Sequence, residues 1–549
     1  MAVTLGSTGI TFPDATTQTT AASGGGAPQA TFTAAAAITA GNVVQFTTGS
    51  SVTPVTGVVA TQGRGGENTV LSSNNSTSNT SWGIVACAYD PNTAGSFVAV
   101  GINSSGNAIT LVAGTTSVNT TTVGTVVTSA LSGSSFGISG LKVMFDPVTA
   151  GKGMIIFVDG AGSSSVKYIK AIIFTVSGTT ATIRSTTTLY TGGSSLYSTF
   201  SYYGQDIFVF AFSDGGSNPA AQACSISTYT ITQGTQTTIT SVGPQINSRQ
   251  ASMDMDYSKL TANLLGLTLI SNGNQDVYAV LMTVVPATKV ITSGSAQNMI
   301  AGSFNNCSIS FDPLVSTRFA VAGTTASTSA GYIYTGQISG TSVTATYLAK
   351  TFAALPSGNY GSALIKYLSI GDGSSANSVL TYFYSTYTIS GPCCCLGTVA
   401  SYFSSGIAAS TAYNAVITWQ SDSTITLSTT INYTNGGMAL VSGQNSKVAL
   451  SYGNASAQTG IIRIAEAKVT NTNLDSTKVI GIANASASSS ASVLVNVLGG
   501  TDANQTGLTA NSTYYVDGAG ALTTTSTAPN VKIGRATSAT SILIQGLTI

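Results

Sequence analysis

Histidine is missing altogether from this sequence, and charge nearly so: 18 basic and 17 acidic residues leave a net charge of +1. Charged side chains are 6% of the chain, where about 25% is usual. Without histidine, Ser-His-Asp and Cys-His nucleophile systems, HExxH zinc sites and imidazole proton relays are excluded. Without Lys/Arg clusters there is no electrostatic footprint for nucleic acid or an anionic membrane surface. Long apolar runs are lacking too. The longest, Leu264 to Ile270 and Tyr278 to Val285, are strand-length and far short of a spanning helix, so no membrane insertion is expected. No basic n-region followed by an apolar core opens the chain, so no secretory signal is expected. Solubility must come from hydroxyls and amides, since Gly, Ser, Thr and Ala are abundant.

The six cysteines do not suggest a disulfide framework. Cys87 and Cys307 fall on apolar columns of a repeat described below, where a thiol behaves as a small hydrophobe. Cys393, Cys394 and Cys395 are adjacent, but three consecutive residues of a strand cannot all face one ion, and no histidine completes a site. All six fit folding in a reducing cytosol.

What is present is a repeated hairpin, clearest at Asn306 to Gly323, where two strands flank a turn at Asp312-Pro313. Its turn residue recurs at Asp90, Asp146, Gly204, Asp256, Asp312, Gly371 and Gly443, at intervals of 56, 58, 52, 56, 59 and 72 residues. Three residues before the turn stand Cys87, Val143, Ser201, Met253, Ile309, Leu368 and Leu440; one before it stand Tyr89, Phe145, Tyr203, Met255, Phe311, Ile370 and Ser442. Both columns are mostly apolar, and the positions between are mixed, as alternation across a strand requires. A second small turn follows most hairpins, at Val176 to Thr179, Gln233 to Gln236, Ile338 to Thr341 and Gln420 to Ser423. Each repeat is therefore about four strands, and a fixed period of this size marks units that bury their apolar faces against their neighbours.

Four-stranded units around a centre describe a β-propeller, here with seven blades. The last repeat, from Met438, supplies only three evident strands. The fourth is expected from Glu67 to Ser72, which lies at the same offset before Asp90 as the other fourth strands before their next turns.

Residues 1–28 are too poor in apolar side chains to fold alone, and Gly24-Gly25-Gly26 reads as a linker. Within them, Gly9-Ile10-Thr11-Phe12-Pro13-Asp14-Ala15-Thr16-Thr17-Gln18-Thr19-Thr20-Ala21 resembles the N-terminal segment of tail fibres and other virion appendages of tailed phages, marine and cyanobacterial ones especially. The usual pattern has Gly after the Asp, where this chain has Ala15. The resemblance implies an extended peptide that attaches to other virion tail proteins, through Ile10, Phe12, Pro13 and Asp14. It also implies a virion (tail) location after folding in the host cytoplasm, and a homo-oligomer, a trimer by family habit, although no heptad segment enforces threefold association.

Residues 29–62 and 474–549 read as two parts of one small β domain, with the propeller, 63–473, inserted between them. Ile38-Thr39-Ala40-Gly41-Asn42-Val43-Val44 in the first part is echoed by Leu508-Thr509-Ala510-Asn511-Ser512-Thr513-Tyr514 in the second.

Carboxylates are the only chemistry left. Glycoside cleavage needs two flanking the bond, but the only glutamates are Glu67 and Glu466, and most aspartates have a turn to explain them: Asp90, Asp146, Asp312, Asp159-Gly160, Asp214-Gly215, Asp372-Gly373 and Asp517-Gly518. Within residues 63–473, Asp254, Asp256, Asp206 and Asp276 remain; Asp254 and Asp256 share a strand face but lack EF-hand spacing. The sialidase SxDxGxTW signature and phosphate-binding GxxxxGK[ST] are absent. The expectation is no catalytic residue, no metal, no cofactor and no enzyme. Aromatics are the better candidates: Tyr197, Tyr202 and Tyr203, and Tyr382, Phe383, Tyr384 and Tyr387, place flat rings among hydroxyls and amides. Tyr202, Tyr382, Tyr384 and Tyr387 are the receptor-binding candidates, and Cys393 to Trp419, which lengthens the last interval, is the candidate functional loop.

The function expected is a phage tail fibre or tip protein that binds a host surface glycan or protein through its propeller. A structural decoration or adaptor protein of the virion is the alternative, and a host polysaccharide depolymerase a weaker one.

Overall fold

The computed structural model describes residues 4–6, 9–11, 17–18, 28–60, 64–71, 85–102, 108–117, 120–130, 139–160, 166–193, 196–204, 206–214, 219–239, 253–271, 274–325, 330–352, 360–370, 377–390, 395–408, 418–424, 431–444, 446–454, 459–467, 469–526 and 530–545. They form β-structure throughout, in two compact units: 60–469, and 1–59 with 470–549.

Among the described residues the larger unit contains seven antiparallel sheets of four or more strands, here called blades. Blade 1 runs Ala86–Tyr89, Ser96–Ile102, Ala108–Ser117, then an outer edge split into Thr120–Val123 and Val127–Ala130. Blade 2 begins at Ser139–Phe145, blade 3 at Leu196–Gly204, blade 4 at Met253–Tyr257, blade 5 at Phe304–Phe311, blade 6 at Tyr360–Ile370 and blade 7 at Ile431–Leu440. These first strands touch one another in order, and the seventh touches the first, which closes a ring. Blade 7 takes Lys447–Asn454 and Thr459–Glu466 from its own repeat and its fourth strand, Arg64–Leu71, from the N-terminal side. Ile461 faces Thr69 and Arg463 faces Glu67 in that pairing. The expected closing strand is found three residues earlier at its start.

The apolar core is divided into slabs lying between blades. One joins Val98, Ile109 and Leu111 of blade 1 to Ile155, Phe157 and Phe174 of blade 2. Another joins blade 2 to Phe200, Tyr202, Phe208 and Phe210 of blade 3, and another seats Val70, Leu71 and Ile462 of blade 7 against Cys87, Phe97 and Val112 of blade 1. A middle strand therefore buries both faces: every residue of Ser96–Ile102, Lys152–Asp159 and Leu264–Ile270 is buried. Outer strands alternate instead, as in Thr180–Gly192, because their edge faces solvent. The column residues pair across the first hairpin as expected, Cys87 with Ala99, Val143 with Ile155 and Ile309 with Val321.

The hairpin's Pro-containing turn depends on glycine at Gly95 and Gly151. Both have φ of +69°, and a Cβ there would lie 2.5 Å from the Thr116 carbonyl oxygen and 2.4 Å from that of Val176. Each passes close under the third strand of its blade, where only glycine fits.

Three expectations about turns and loops are corrected. Gly178 and Gly340 do sit in two-strand turns, at φ 59° and 60°, but in blade 3 the turn is Thr228-Tyr229, and Gly234 lies inside the strand Thr230–Thr238. A Cβ at Gly234 would meet Lys289 Cβ at 2.5 Å, so this glycine serves close packing against blade 4 rather than a turn. Gln420 to Ser423 lie within the strand Thr418–Thr424. The long stretch after Cys393 is not a loop for most of its length: Asn377–Ser390 and Cys395–Ala408 are paired 14-residue strands, so blade 6 uses the extra residues to lengthen its own sheet.

The smaller unit holds a closed barrel and a five-stranded sheet. The barrel joins Gln29–Ala34, Val43–Phe46 and Ser51–Pro54 to Val479–Ala483 and Ser492–Asn496 around Val44, Val52, Val493 and Val495. The sheet, from Thr501 to Ile544, packs Tyr514, Val516, Ile533 and Ile544 against Val43, Val479 and Ile482. The echo between the two parts is a shared turn. Gly41, Ser490 and Asn511 have φ of 87°, 68° and 68°, and just beyond each a backbone N–H closes back three residues: Asn42 to Thr39, Ala491 to Ser488 and Ser512 to Thr509.

The described residues of the N-terminal segment are paired with one another, where an extended peptide was expected. Thr4–Gly6, Gly9–Thr11 and Thr17–Gln18 pair antiparallel, Leu5 opposite Ile10 and Ile10 opposite Gln18. An isolated strand leaves its backbone N–H and C=O groups without partners, and folding back satisfies them.

Candidate functional site

The first strands of all seven blades line one cavity of about 480 Å3, within the range of about 300–1,000 Å3 usual for small-molecule sites. Its walls are largely backbone and small or apolar side chains, because inner strands crowd toward the centre. Polar groups stand out against this lining. Lys142 Nζ of blade 2 is 2.7 Å from Asp254 Oδ1 of blade 4 and donates to the Met255 carbonyl at 2.7 Å. Thr199 Oγ1 of blade 3 lies 3.5 Å from the same ammonium. Asp254 Oδ2 accepts from Ser308 Oγ at 2.9 Å and from the Ile309 N–H at 3.2 Å. Burial pushes the Asp254 carboxyl up, but Lys142 and Lys366, with these hydrogen bonds, hold it below the ordinary aspartate value on balance. The carboxylate is charged at neutral pH and ties blades 2, 4 and 5 across the axis.

A second set of carboxylates binds blade to blade at the hairpin turns. Asp90 Oδ1 accepts from Asn92 N–H at 2.9 Å within its own turn, while Oδ2 accepts from Gly151 N–H of blade 2 at 2.8 Å. Asp146 holds Val148 and Thr149 with Oδ1 and the Asp206 N–H of blade 3 with Oδ2. Lys152 in turn reaches back to Asp206. Asp256 accepts from Phe311 N–H of blade 5 at 3.1 Å, and Ser442 of blade 7 links to Gly95 and Thr93 of blade 1. Asp312 departs from this scheme: Oδ2 meets Arg318, Nε at 2.7 Å, and both side chains are almost wholly buried. The turn explanation of these aspartates is correct in part, since one oxygen caps the turn and the other joins a neighbour. Asp159 needs a different account, because it is fully buried and paired with Lys170 at 2.6 Å. Asp276 accepts from Asn298 and Gly302. Among the described residues no cluster of three or more His, Cys, Asp or Glu could hold a metal ion.

The tyrosine candidates fare differently from what was expected. Tyr202 is fully buried in the slab between blades 2 and 3; burial, with Asp146 and Asp206 nearby, pushes its phenol well above the ordinary range. Tyr382 is also fully buried, its ring leaving no room for a Cβ at Gly331. Both are core residues and are corrected as receptor contacts: the blades bury both faces, so an alternate-residue rule does not free one of them. Tyr384 and Tyr387 lie in the strand Asn377–Ser390, and their side chains are outside the described residues. Phe12, Pro13 and Asp14 lie outside them too, as does the Ile10 side chain. Cys87, Cys224 and Cys307 are buried thiols outside any disulfide, and burial raises the first two to about 12, where they are inert. Cys393 and Cys394 are outside the described residues.

Lys142, Thr199, Ser308 and Lys366 were not singled out by sequence. A signal existed: in a chain with so few charges, a lysine four or five residues before a repeat turn falls on an innermost strand. Tyr197, half-buried on the cavity wall, was in the aromatic set.

The class of protein that the ring of seven four-stranded blades and its axial cavity define is the β-propeller. No family model and no curated protein matches the chain. Solved structures similar to it include AofleA from Arthrobotrys oligospora, at 8% identity and a TM-score of 0.38, with 66% of this chain and 90% of that chain covered. They also include an α-L-arabinanase of Penicillium chrysogenum complexed with arabinobiose (10%, TM-score 0.39, 74% and 98%). A third is a GH93 α-L-arabinofuranosidase of Fusarium graminearum, also with arabinobiose (7%, TM-score 0.38, 73% and 97%). The presence of glycoside hydrolases among these neighbours corrects the expectation that the chain is no enzyme, which is withdrawn.

Proposed function

We propose that the protein is a tail fibre or tip protein of a phage virion, bound to the virion by its N-terminal peptide and to a host surface glycan by its propeller. The axial cavity carries the binding half of this reading. It is of ligand size, reached from all seven blades, and combines a tyrosine ring, hydroxyls and ammonium groups, the donors that sugar hydroxyls and ring faces require. The resemblance of Gly9 to Ala21 to virion appendages supports the attachment half. With Tyr202 and Tyr382 in the core, recognition moves from an aromatic outer surface to the axis.

The test is binding of the labelled full chain to intact host cells, with purified host surface polysaccharide as competitor. Saturable binding that the polysaccharide displaces is expected. Binding to tail-depleted virions without binding to cells would instead identify a decoration or adaptor protein.

A further inference from the structure

The axial cavity holds an ammonium group whose partners are already committed elsewhere. Lys142, Lys259 and Lys366 line it, as do Asp254, Asp256 and Asp312. Asp312 is taken by Arg318. Both oxygens of Asp254 are occupied, Oδ1 by Lys142 and the Met255 N–H, Oδ2 by Ser308 and the Ile309 N–H. Asp256 accepts from Phe311 N–H. Lys142 spends its donors on Asp254, Met255 and Thr199. Lys366 is near enough to lower the Asp254 pKa, yet its ammonium has no hydrogen bond among the described residues. An ammonium carries three donors, and in a partly enclosed cavity an anion that accepts from it gains more than in open water.

We propose that the glycan taken by the axial cavity is acidic, and that Lys366 binds the carboxylate of a uronic-type sugar residue. This rests on the reading of the propeller as a glycan-binding module. Lys366 sits on Tyr360–Ile370, where its carbonyl accepts from Thr381 Oγ1 at 2.8 Å, so the backbone that presents the ammonium is fixed on a paired strand. Lys142 is locked against Asp254 in a pair with no net charge, which leaves Lys366 as the ammonium free to answer an anion. A neutral sugar would leave the Lys366 donors to water, whereas a carboxylate satisfies them with charge-assisted bonds of about twice the strength of neutral ones. Tyr197 and Tyr257, both on the cavity wall, offer rings to the sugar's apolar face.

The experiment is calorimetric titration of the full chain with a galacturonic-acid oligomer and with a neutral galactose oligomer of equal length, at low and high salt. Sodium acetate serves as the control for a free carboxylate. The acidic oligomer is expected to bind about tenfold or more tightly than the neutral one, with the advantage shrinking at high salt. Lys366→Gln should bring the two to equality while the melting temperature stays that of the parent. Equal binding of both oligomers, unchanged by Lys366→Gln, would overturn the acidic-sugar assignment and leave glycan binding intact. Acetate binding as tightly as the oligomer would overturn the sugar part. If neither oligomer bound while host cells still did, the inference would fall and cell recognition would stand; loss of cell binding as well would remove both.

Discussion

The two units solve the problem of a buried carboxylate in opposite ways. In the propeller, Asp312 and Asp159 are fully buried against cations, Arg318 and Lys170, and the turn aspartates hand one oxygen to the next blade. In the smaller unit Asp502 is equally buried but surrounded by amides: Asn496 at 3.2 Å, Asn504 at 3.0 Å and Gln505 at 2.7 Å. The Gln505 amide also reaches the Gly41 carbonyl at 3.0 Å, linking the barrel's turn to the same carboxylate. A ring of similar repeats needs one contact made many times, and a carboxylate with two oxygens can cap its own turn and join a neighbour. The smaller unit has no ring of such repeats, and at its five-stranded sheet several neutral donors converge on one anion instead.

Substitutions can break this comparison. The largest effect is expected at ring closure: Leu71→Asp puts an unpaired charge into the slab between blades 7 and 1 and should cost about 5 kcal/mol, read by calorimetry in the propeller's transition. Next, Asp312→Ala leaves Arg318 buried without its main counter-charge, at about 3–5 kcal/mol, whereas the paired change Asp312→Leu with Arg318→Met should recover most of that. If the double variant were no better than the single, the pair would be doing more than neutralising charge. In the smaller unit, Asp502→Ala strands several amide donors rather than a charge, so a lesser loss of about 2–3 kcal/mol is expected from urea unfolding. Asp90→Ala removes one turn cap and one link to Gly151, worth about 1–2 kcal/mol. The smallest effect is on pH dependence. Because the Asp254 carboxyl is held below its unfolded value, its contribution is present above about pH 4 and disappears as the pH falls through the folded-state value. Asp254→Asn should flatten the acid limb of the stability curve slightly; an unchanged limb would show that other carboxylates set it.

Periodicity carried the propeller because each hairpin repeats the same local chemistry, with apolar columns at Cys87, Val143 and Ile309 and turn residues at Asp90, Asp146 and Asp312. Even the strand borrowed for blade 7 could be placed by offset. What local reading could not supply was orientation. Tyr202 and Tyr382 sit in strands that bury both faces, so alternation does not say which side meets solvent. Gly234 looks like a turn glycine and is a packing glycine, because its neighbour is Lys289 of the next blade. The pairing of the axial lysines was out of reach, although their place on innermost strands was not: Lys142 and Asp254 are 112 residues apart, and only closure of the ring brings them to 2.7 Å.

Closure by the Arg64–Leu71 strand also sets a schedule for synthesis. Its partners, Thr459–Glu466, are made about 390 residues later, and at about 5–20 residues per second that is roughly 20 to 80 seconds of translation. Throughout that interval one strand waits without its neighbour, and blade 1 presents the face that blade 7 will cover. Exposed strand edges invite pairing with other chains, so a nascent polysome of this protein is most exposed to aggregation just before its last blade emerges, and a chaperone that shields residues 64–71 should raise the yield of closed rings.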